Sequence, residues 1–135
     1  FADFDAETVA VFGESEVAAL LDDARIIRHR GKIEATINNA QALLDLHESG
    51  ATLAGLIWSH EPAEAAPEVW DDVPAKTDES TALSKTLKKL GFKFVGPTTA
   101  YAAMQAMGVV NDHMHDCWVR EACLVERADL EPLTW

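Results

Sequence analysis

Two short stretches of this chain carry residue types that can do chemistry. The first is RIIRHRGKI, residues 25–33, where Arg25, Arg28, Arg30 and Lys32 stand around His29. The second is NDHMHDCW, residues 111–118, where His113 and Cys117 lie four apart. The rest of the protein is acidic: 23 Asp and Glu against 11 Lys and Arg give a formal net charge of −12. Cations gathered together repel one another unless an anion sits against them, and the acidic remainder turns away a non-specific polyanion binder. The basic stretch therefore asks for a local anionic partner.

The surrounding pattern suggests which anion. A helix over residues 15–22, a tight basic turn and a second helix from Lys32 onward make a hairpin of two helices. The first N–H groups of the second helix then lie unbonded beside Arg28, Arg30 and Lys32. Such an end binds phosphate, with Gly31 letting a backbone come close, while Ile26 and Ile27 are expected to anchor the turn in the core. Lys85, Lys88, Lys89 and Lys93 form a second cationic group. Two clusters imply an extended anion, of which nucleic acid is the commonest. The alternative is a solvated turn balancing Asp22, Asp23 and Glu34.

His113 and Cys117 invite a different chemistry. A spacing of four on a helix points both side chains to one side, and imidazole with thiolate is an ordinary structural zinc pair. Two ligands do not close a tetrahedron. His115 and Cys123 are nearby, although His115 falls roughly on the opposite face of such a helix. The alternative is a buried histidine beside an inert thiol. Cys117 and Cys123 are the chain's 2 cysteines, too few for a disulfide framework.

These residues need a scaffold, and the 135 residues, 48% hydrophobic and 25% charged, suit a single compact domain over 1–135. No apolar run approaches the roughly 18 residues of a membrane span, and FADFDAETVA lacks the basic start and apolar stretch of a signal peptide. The expectation is a soluble, cytoplasmic monomer with no membrane partner. Helical periodicity with caps recurs, so the fold class is all-α. Asp5 starts a short helix and Ser15 caps EVAALLDD. KIEATINNAQALLDLHES carries the stripe Ile33, Ile37, Ala40, Leu44 and His47 and stops at Gly50. Thr52 opens LAGLIWSH; Pro62, Pro67 and Pro74 then forbid continuous helix through 61–77. Asp78 or Ser80 caps TALSKTLKKL, ended by Gly91, and Pro97 opens TTAYAAMQAM, ended by Gly108. Trp58, Met104 and Met107 read as core; for Trp70, Trp118 and Trp135 nothing decides.

ARIIRHRGKIEATINNA (24–40) and ALSKTLKKLGFKFVGPTTAYAAMQAMGVVNDH (82–113), in that order and spacing, resemble the DNA-3-methyladenine glycosylase I family of helix-hairpin-helix base-excision enzymes. The resemblance runs from about residue 4 to residue 117 and implies a compact helical domain containing that hairpin. It also implies a monofunctional glycosylase acting on alkylated double-stranded DNA. Such an enzyme flips 3-methyladenine out of the duplex and hydrolyses its glycosidic bond with water. The alkylated purine carries positive charge, so the bond is already weakened and little acid catalysis is needed. The other reading is a non-catalytic helix-hairpin-helix DNA-binding module that has lost the base pocket.

The resemblance assigns DNA binding to Arg28, Arg30, Gly31, Lys32 and Lys93. It places Tyr101 and Ala102 beside the base pocket, where a hydroxyl donates and a small residue leaves space; core packing is their alternative. It makes His113 and Cys117 two of four ligands of a structural zinc. Lys32 as a nucleophile is weighed against a phosphate contact, and the contact is preferred. In family members the base-recognising glutamate, the stacking aromatics, a wedge that fills the gap in the DNA and the other zinc ligands, a cysteine and a histidine, precede the point matching Phe1. The catalytic residue is therefore unknown from this chain. The chain is expected to be N-terminally incomplete relative to the family.

Overall fold

Seven α-helices form the structure, a computed structural model describing residues 1–63, 67 and 69–130. They are α1 (Ala6–Ala10), α2 (Glu14–Asp22), α3 (Arg30–Glu48), α4 (Leu53–Trp58), α5 (Asp78–Lys89), α6 (Pro97–Ala106) and α7 (Trp118–Ala128). Among the described residues there is no strand, in agreement with the all-α reading.

Most helix ends follow from their own residues. The Asp5 carboxylate accepts from the Thr8 N–H at 2.9 Å, and the Thr52 hydroxyl accepts from the Gly55 N–H at 3.0 Å, each satisfying an orphan amide. Pro97 occupies the first turn of α6, where a missing N–H costs nothing. Gly50, Gly91 and Gly108 follow helices with φ of +86°, +89° and +73°, a conformation that side-chain-bearing residues rarely adopt.

Three caps differ from the sequence expectation. Ser15 lies inside α2, which begins a residue earlier; the Glu16 carboxylate accepts from the Gly13 N–H at 2.8 Å and from the Ser15 hydroxyl. Thr77 rather than Asp78 or Ser80 caps α5, its hydroxyl accepting from the Ser80 N–H while the Ser80 side chain accepts from the Thr77 N–H. At α3 the cap is an imidazole: His29 Nδ1 accepts from the Lys32 N–H at 3.2 Å.

The chain gathers into two compact units. The first, Phe1–Ala51 with Thr86–Val95, packs α1 and α2 on α3. Its core holds Val9, Val17, Ile33, Ala40, Leu46, Leu87 and Phe92. The α3 stripe is rotated from expectation, since Leu46 is buried and His47 exposed. Ile27, expected to anchor the basic turn, is 71% exposed, and Ile26 is half-buried.

The second unit, Thr52–Lys85 with Gly96–Trp135, has Leu56, Ile57, Leu83, Tyr101, Met104 and Val109 at its centre. Met107, expected beside Met104, is 43% exposed because it already sits at the C-cap of α6. Trp58 is half-buried, Trp70 and Trp118 are exposed, and Trp135 lies outside the described residues. Sequence reading misses α7 altogether. Its half-buried positions are Val119, Arg120, Cys123, Leu124 and Arg127, a helical stripe that hides from a hydrophobicity count because two of its members are arginines.

Candidate functional site

In the first unit, the connector between α2 and α3 presents its cations unequally. Arg25 reaches back to Asp23 at 2.7 Å, and the Arg25 guanidinium and backbone N–H pull the Asp23 carboxyl down to about 2. Arg30 is held by Glu14 at 2.9 Å and by Glu34 at 3.5 Å. Hydrogen bonding to Glu14, then its charge, raises the Arg30 guanidinium, and the same contacts lower the Glu14 carboxyl. Arg28 and Lys32 are exposed, and among the described residues neither has an acidic partner. The α3 N-terminus is less open than the sequence suggests, since His29 already accepts the Lys32 amide.

The turn at the end of the second cationic segment lies against α3. Asn38 Nδ2 donates to the Gly91 carbonyl at 2.8 Å. Asn39 clasps Lys93 from both sides, its Nδ2 donating to the Lys93 carbonyl at 3.0 Å and its Oδ1 accepting from the Lys93 N–H at 2.7 Å. Next to this clasp Phe94 takes φ +58° and is 58% exposed, with its ring 6.4 Å from that of His29 in an edge-on arrangement. A methyl group on Gly31 would come within 3.9 Å of the Phe94 ring and 3.2 Å of the His29 ring. All five residues predicted to bind DNA therefore belong to one unit, and Lys93 is tied through Asn39 to the helix that carries Gly31 and Lys32. Sequence reasoning missed the asparagines. The available signal was a pair of adjacent amides in the middle of a long helix.

In the second unit Tyr101 is 3% exposed and its hydroxyl donates to Asp112 Oδ2 at 2.5 Å, while Gln105 Nε2 donates to the same oxygen at 2.7 Å. Burial, then the bond to Asp112 and the negative charges of Asp112 and Glu79, push the phenol well above its ordinary value. Ala102 is exposed on α6. A pocket of about 340 Å³ opens close by, lined in part by Trp70, Gln105, Asp112, His113, Met114 and Cys117. Tyr101 and Ala102 are not among its lining residues; Asp112 connects Tyr101 to it.

His113 and Cys117 are brought together, although not by a helix. Residues 111–117 form an irregular loop ending in a turn closed by the Cys117 N–H on the Met114 carbonyl at 2.9 Å, and α7 starts only at Trp118. His113 Nδ1 and Cys117 Sγ are 3.6 Å apart. Bonds of about 2.3 Å to sulfur and about 2.0 Å to nitrogen at a tetrahedral angle require a separation of about 3.5 Å, so the pair fits one edge of a zinc site. Among the described residues no group of three or more His, Cys, Asp and Glu side chains could hold a metal. His115 instead gives its backbone N–H to the Pro67 carbonyl at 3.3 Å, and Cys123 lies on α7.

Comparison with known proteins agrees with the sequence resemblance. DNA-3-methyladenine glycosylase 1 of Escherichia coli (strain K12) is 47% identical over 120 residues, which are 87% of this chain and 64% of that protein. A crystal structure of 3-methyladenine DNA glycosylase I matches with a TM-score of 0.84 at 45% identity, covering 87% of this chain and 66% of the other. A single-residue variant of 3-methyladenine DNA glycosylase I in complex with 3-methyladenine matches with a TM-score of 0.83 at 33% identity, over 89% of this chain and 66% of that one. The chain thus spans just under two thirds of the length of these relatives. Residues 1–121 match the family model described as methyladenine glycosylase, and the chain belongs to that family.

Proposed function

We propose that this protein works as a DNA-3-methyladenine glycosylase, a monofunctional hydrolase that extrudes 3-methyladenine from alkylated duplex DNA and releases it with water. The observation that carries the reading is the likeness to a relative in complex with 3-methyladenine. In the first unit, Arg28, Lys32 and the 90–95 turn with Lys93 grip phosphates, with Gly31 admitting the backbone. The helix-hairpin-helix is α2, the basic connector and α3, and the 90–95 turn is held against α3 by Asn38 and Asn39. In the second unit, Tyr101 and Ala102 are read as bordering the base pocket on the family resemblance alone; the Tyr101 hydroxyl donates to Asp112. The family resemblance puts the base-recognising glutamate in the segment that precedes residue 1 in relatives. The cationic purine leaves readily, so binding and water positioning supply most of the catalysis.

His113 and Cys117 are read as two ligands of a structural zinc, whose role when bound is to fasten this loop to the segment carrying the other two ligands. A monomer acting in the cytoplasm completes the reading; no described helix is long and apolar enough to cross a membrane.

The test joins the preceding segment of the Escherichia coli relative to this chain and measures release of 3-methyladenine from methylated duplex DNA. The joined protein is expected to release the base and leave the strand uncut, and the chain by itself to release little. DNA binding without release by the joined protein would favour the non-catalytic module. Strand cleavage would point to a lysine nucleophile.

A further inference from the structure

The 111–117 loop is irregular, yet it holds its imidazole and thiol at a defined separation. The cause lies in the first turn of α7. Arg120 Nη1 donates to the Asn111 carbonyl at 2.9 Å and to the His113 carbonyl at 2.8 Å, so one nitrogen fixes the main chain on both sides of Asp112. The clamp is reciprocal: Asn111 is 6% exposed, and its Nδ2 donates to the Arg120 carbonyl at 3.1 Å. Asn111 Oδ1 also accepts from the His113 N–H at 3.4 Å. Asp112, between the two clamped carbonyls, is held by Tyr101 and Gln105 from α6. At its far end α7 is fastened by Arg127, which pairs with Glu61 and lies 5.8 Å from the centre of the Trp58 ring.

We infer that Arg120 is the positioning residue of the His113–Cys117 metal pair, acting through the two carbonyls rather than by touching the metal. This rests on the zinc reading proposed above. A pair of ligands on a free loop must surrender backbone freedom when the metal arrives, and that entropy weakens binding. With the His113 carbonyl already tied to α7, most of that freedom is lost on folding, before any metal is present. Groups that orient ligands in this way typically change metal affinity by 10- to 100-fold when removed. The family match ends at residue 121, just after Arg120, so the clamp residues lie within it and the remainder of α7 lies beyond.

The experiment is a cobalt(II) titration of the joined protein described above, in which the preceding segment brings the other two ligands, read by the absorption that a thiolate ligand gives to the metal. Arg120→Met keeps the apolar stem and removes both donors, and it should raise the cobalt dissociation constant about tenfold or more. Arg120→Lys retains N–H donors on a shorter stem and should recover part of the loss, which a purely packing role would not produce. Should Arg120→Met fail to fold, as judged by circular dichroism of the metal-free protein, Asn111→Ala opens the clamp from the other side and should weaken binding in the same direction. Unchanged cobalt affinity in the folded Arg120→Met or Asn111→Ala protein, or no recovery with lysine, overturns the inference alone. Absence of a thiolate band in the joined parent protein, or a band whose intensity and cobalt affinity are unchanged by Cys117→Ala, overturns the zinc reading and the inference with it.

Discussion

The basic connector before α3 and the 111–117 loop are both short irregular segments that carry the chain's most reactive side chains, and they are held in opposite ways. In the connector, side chain meets side chain on the surface: Arg25 takes Asp23, and Arg30 takes Glu14 and Glu34. Exposed pairs of this kind are weak, screened by salt and readily exchanged for another anion. In the loop, side chains hold main chain or buried hydroxyls: Arg120 grips two carbonyls and Asp112 receives Tyr101. Water does not easily replace the contacts of the buried Tyr101 and Asn111. The difference suits the two proposed tasks, since a phosphate grip must let go of its resident acids, whereas a metal edge must keep its shape.

The largest effect that tests this contrast compares Asp112→Ala with Asn39→Ala. Removing the Asp112 carboxylate leaves the buried Tyr101 hydroxyl without its acceptor, at a cost of about 1–3 kcal/mol, and also deletes the Gln105 bond, at about 0.5–1.5 kcal/mol more. Asn39→Ala also deletes two hydrogen bonds, both to Lys93, but water reaches the groups left behind, so the loss is about 0.5–1.5 kcal/mol for each bond. Urea unfolding of the two variants gives the comparison directly. A larger loss for Asn39→Ala would mean that the Lys93 turn, not the 111–117 loop, is the more rigid of the two.

How much of this could be read beforehand differs between the regions for a physical reason. Helices and their ends are local, so Asp5, Thr52, Pro97 and the three glycines of positive φ could be placed from their neighbours in the chain. The cations could be counted, but not their engagement: Glu14 lies 16 residues from Arg30, and only folding brings them together. The clasp of Asn39 on Lys93 spans 54 residues and leaves no periodic trace. His113 and Cys117 do lie 3.6 Å apart, but not by the route their spacing suggests. Their spacing of four suits a helix, whereas the structure brings them together through a loop turn and an arginine on a helix whose own apolar pattern is interrupted by that arginine.

A middle-sized effect separates the free cations from the engaged ones. If Arg28 contacts phosphate, Arg28→Ala should lower the slope of log affinity for duplex DNA against log salt by about one unit and weaken binding alike across sequences. Arg30→Ala should change the slope less, because the Arg30 charge is already offset by Glu14 and Glu34. Glu14→Gln removes a negative charge and releases the guanidinium, so it should tighten binding and steepen the slope. Equal slopes for the Arg28 and Arg30 variants would show that the acids seen beside Arg30 step aside for DNA at no cost. No slope change in either would remove the connector from the DNA interface.

The smallest effect is silent at neutral pH and reports on the buried side of the contrast. Tyr101 is the chain's 1 tyrosine, so phenolate absorption isolates it. Burial is the main reason its phenol is raised, and the bond to Asp112 and the charges of Asp112 and Glu79 add to it. Below the ordinary tyrosine value of about 10, native and unfolded chains both hold the proton, and the stabilisation from the bond is intact. As the pH rises past that value the unfolded phenol ionises while the native one does not. Stability therefore falls with rising pH, until the native group also titrates. The absorption of folded protein should accordingly lag behind that of protein in denaturant, and the melting temperature should decline above about pH 10. Asp112→Asn removes the charge and leaves the burial, so the lag should shrink without vanishing. Coincident titration curves for folded and denatured protein would mean that the Tyr101 hydroxyl meets water, and Gln105 would be left as the link from α6 to Asp112.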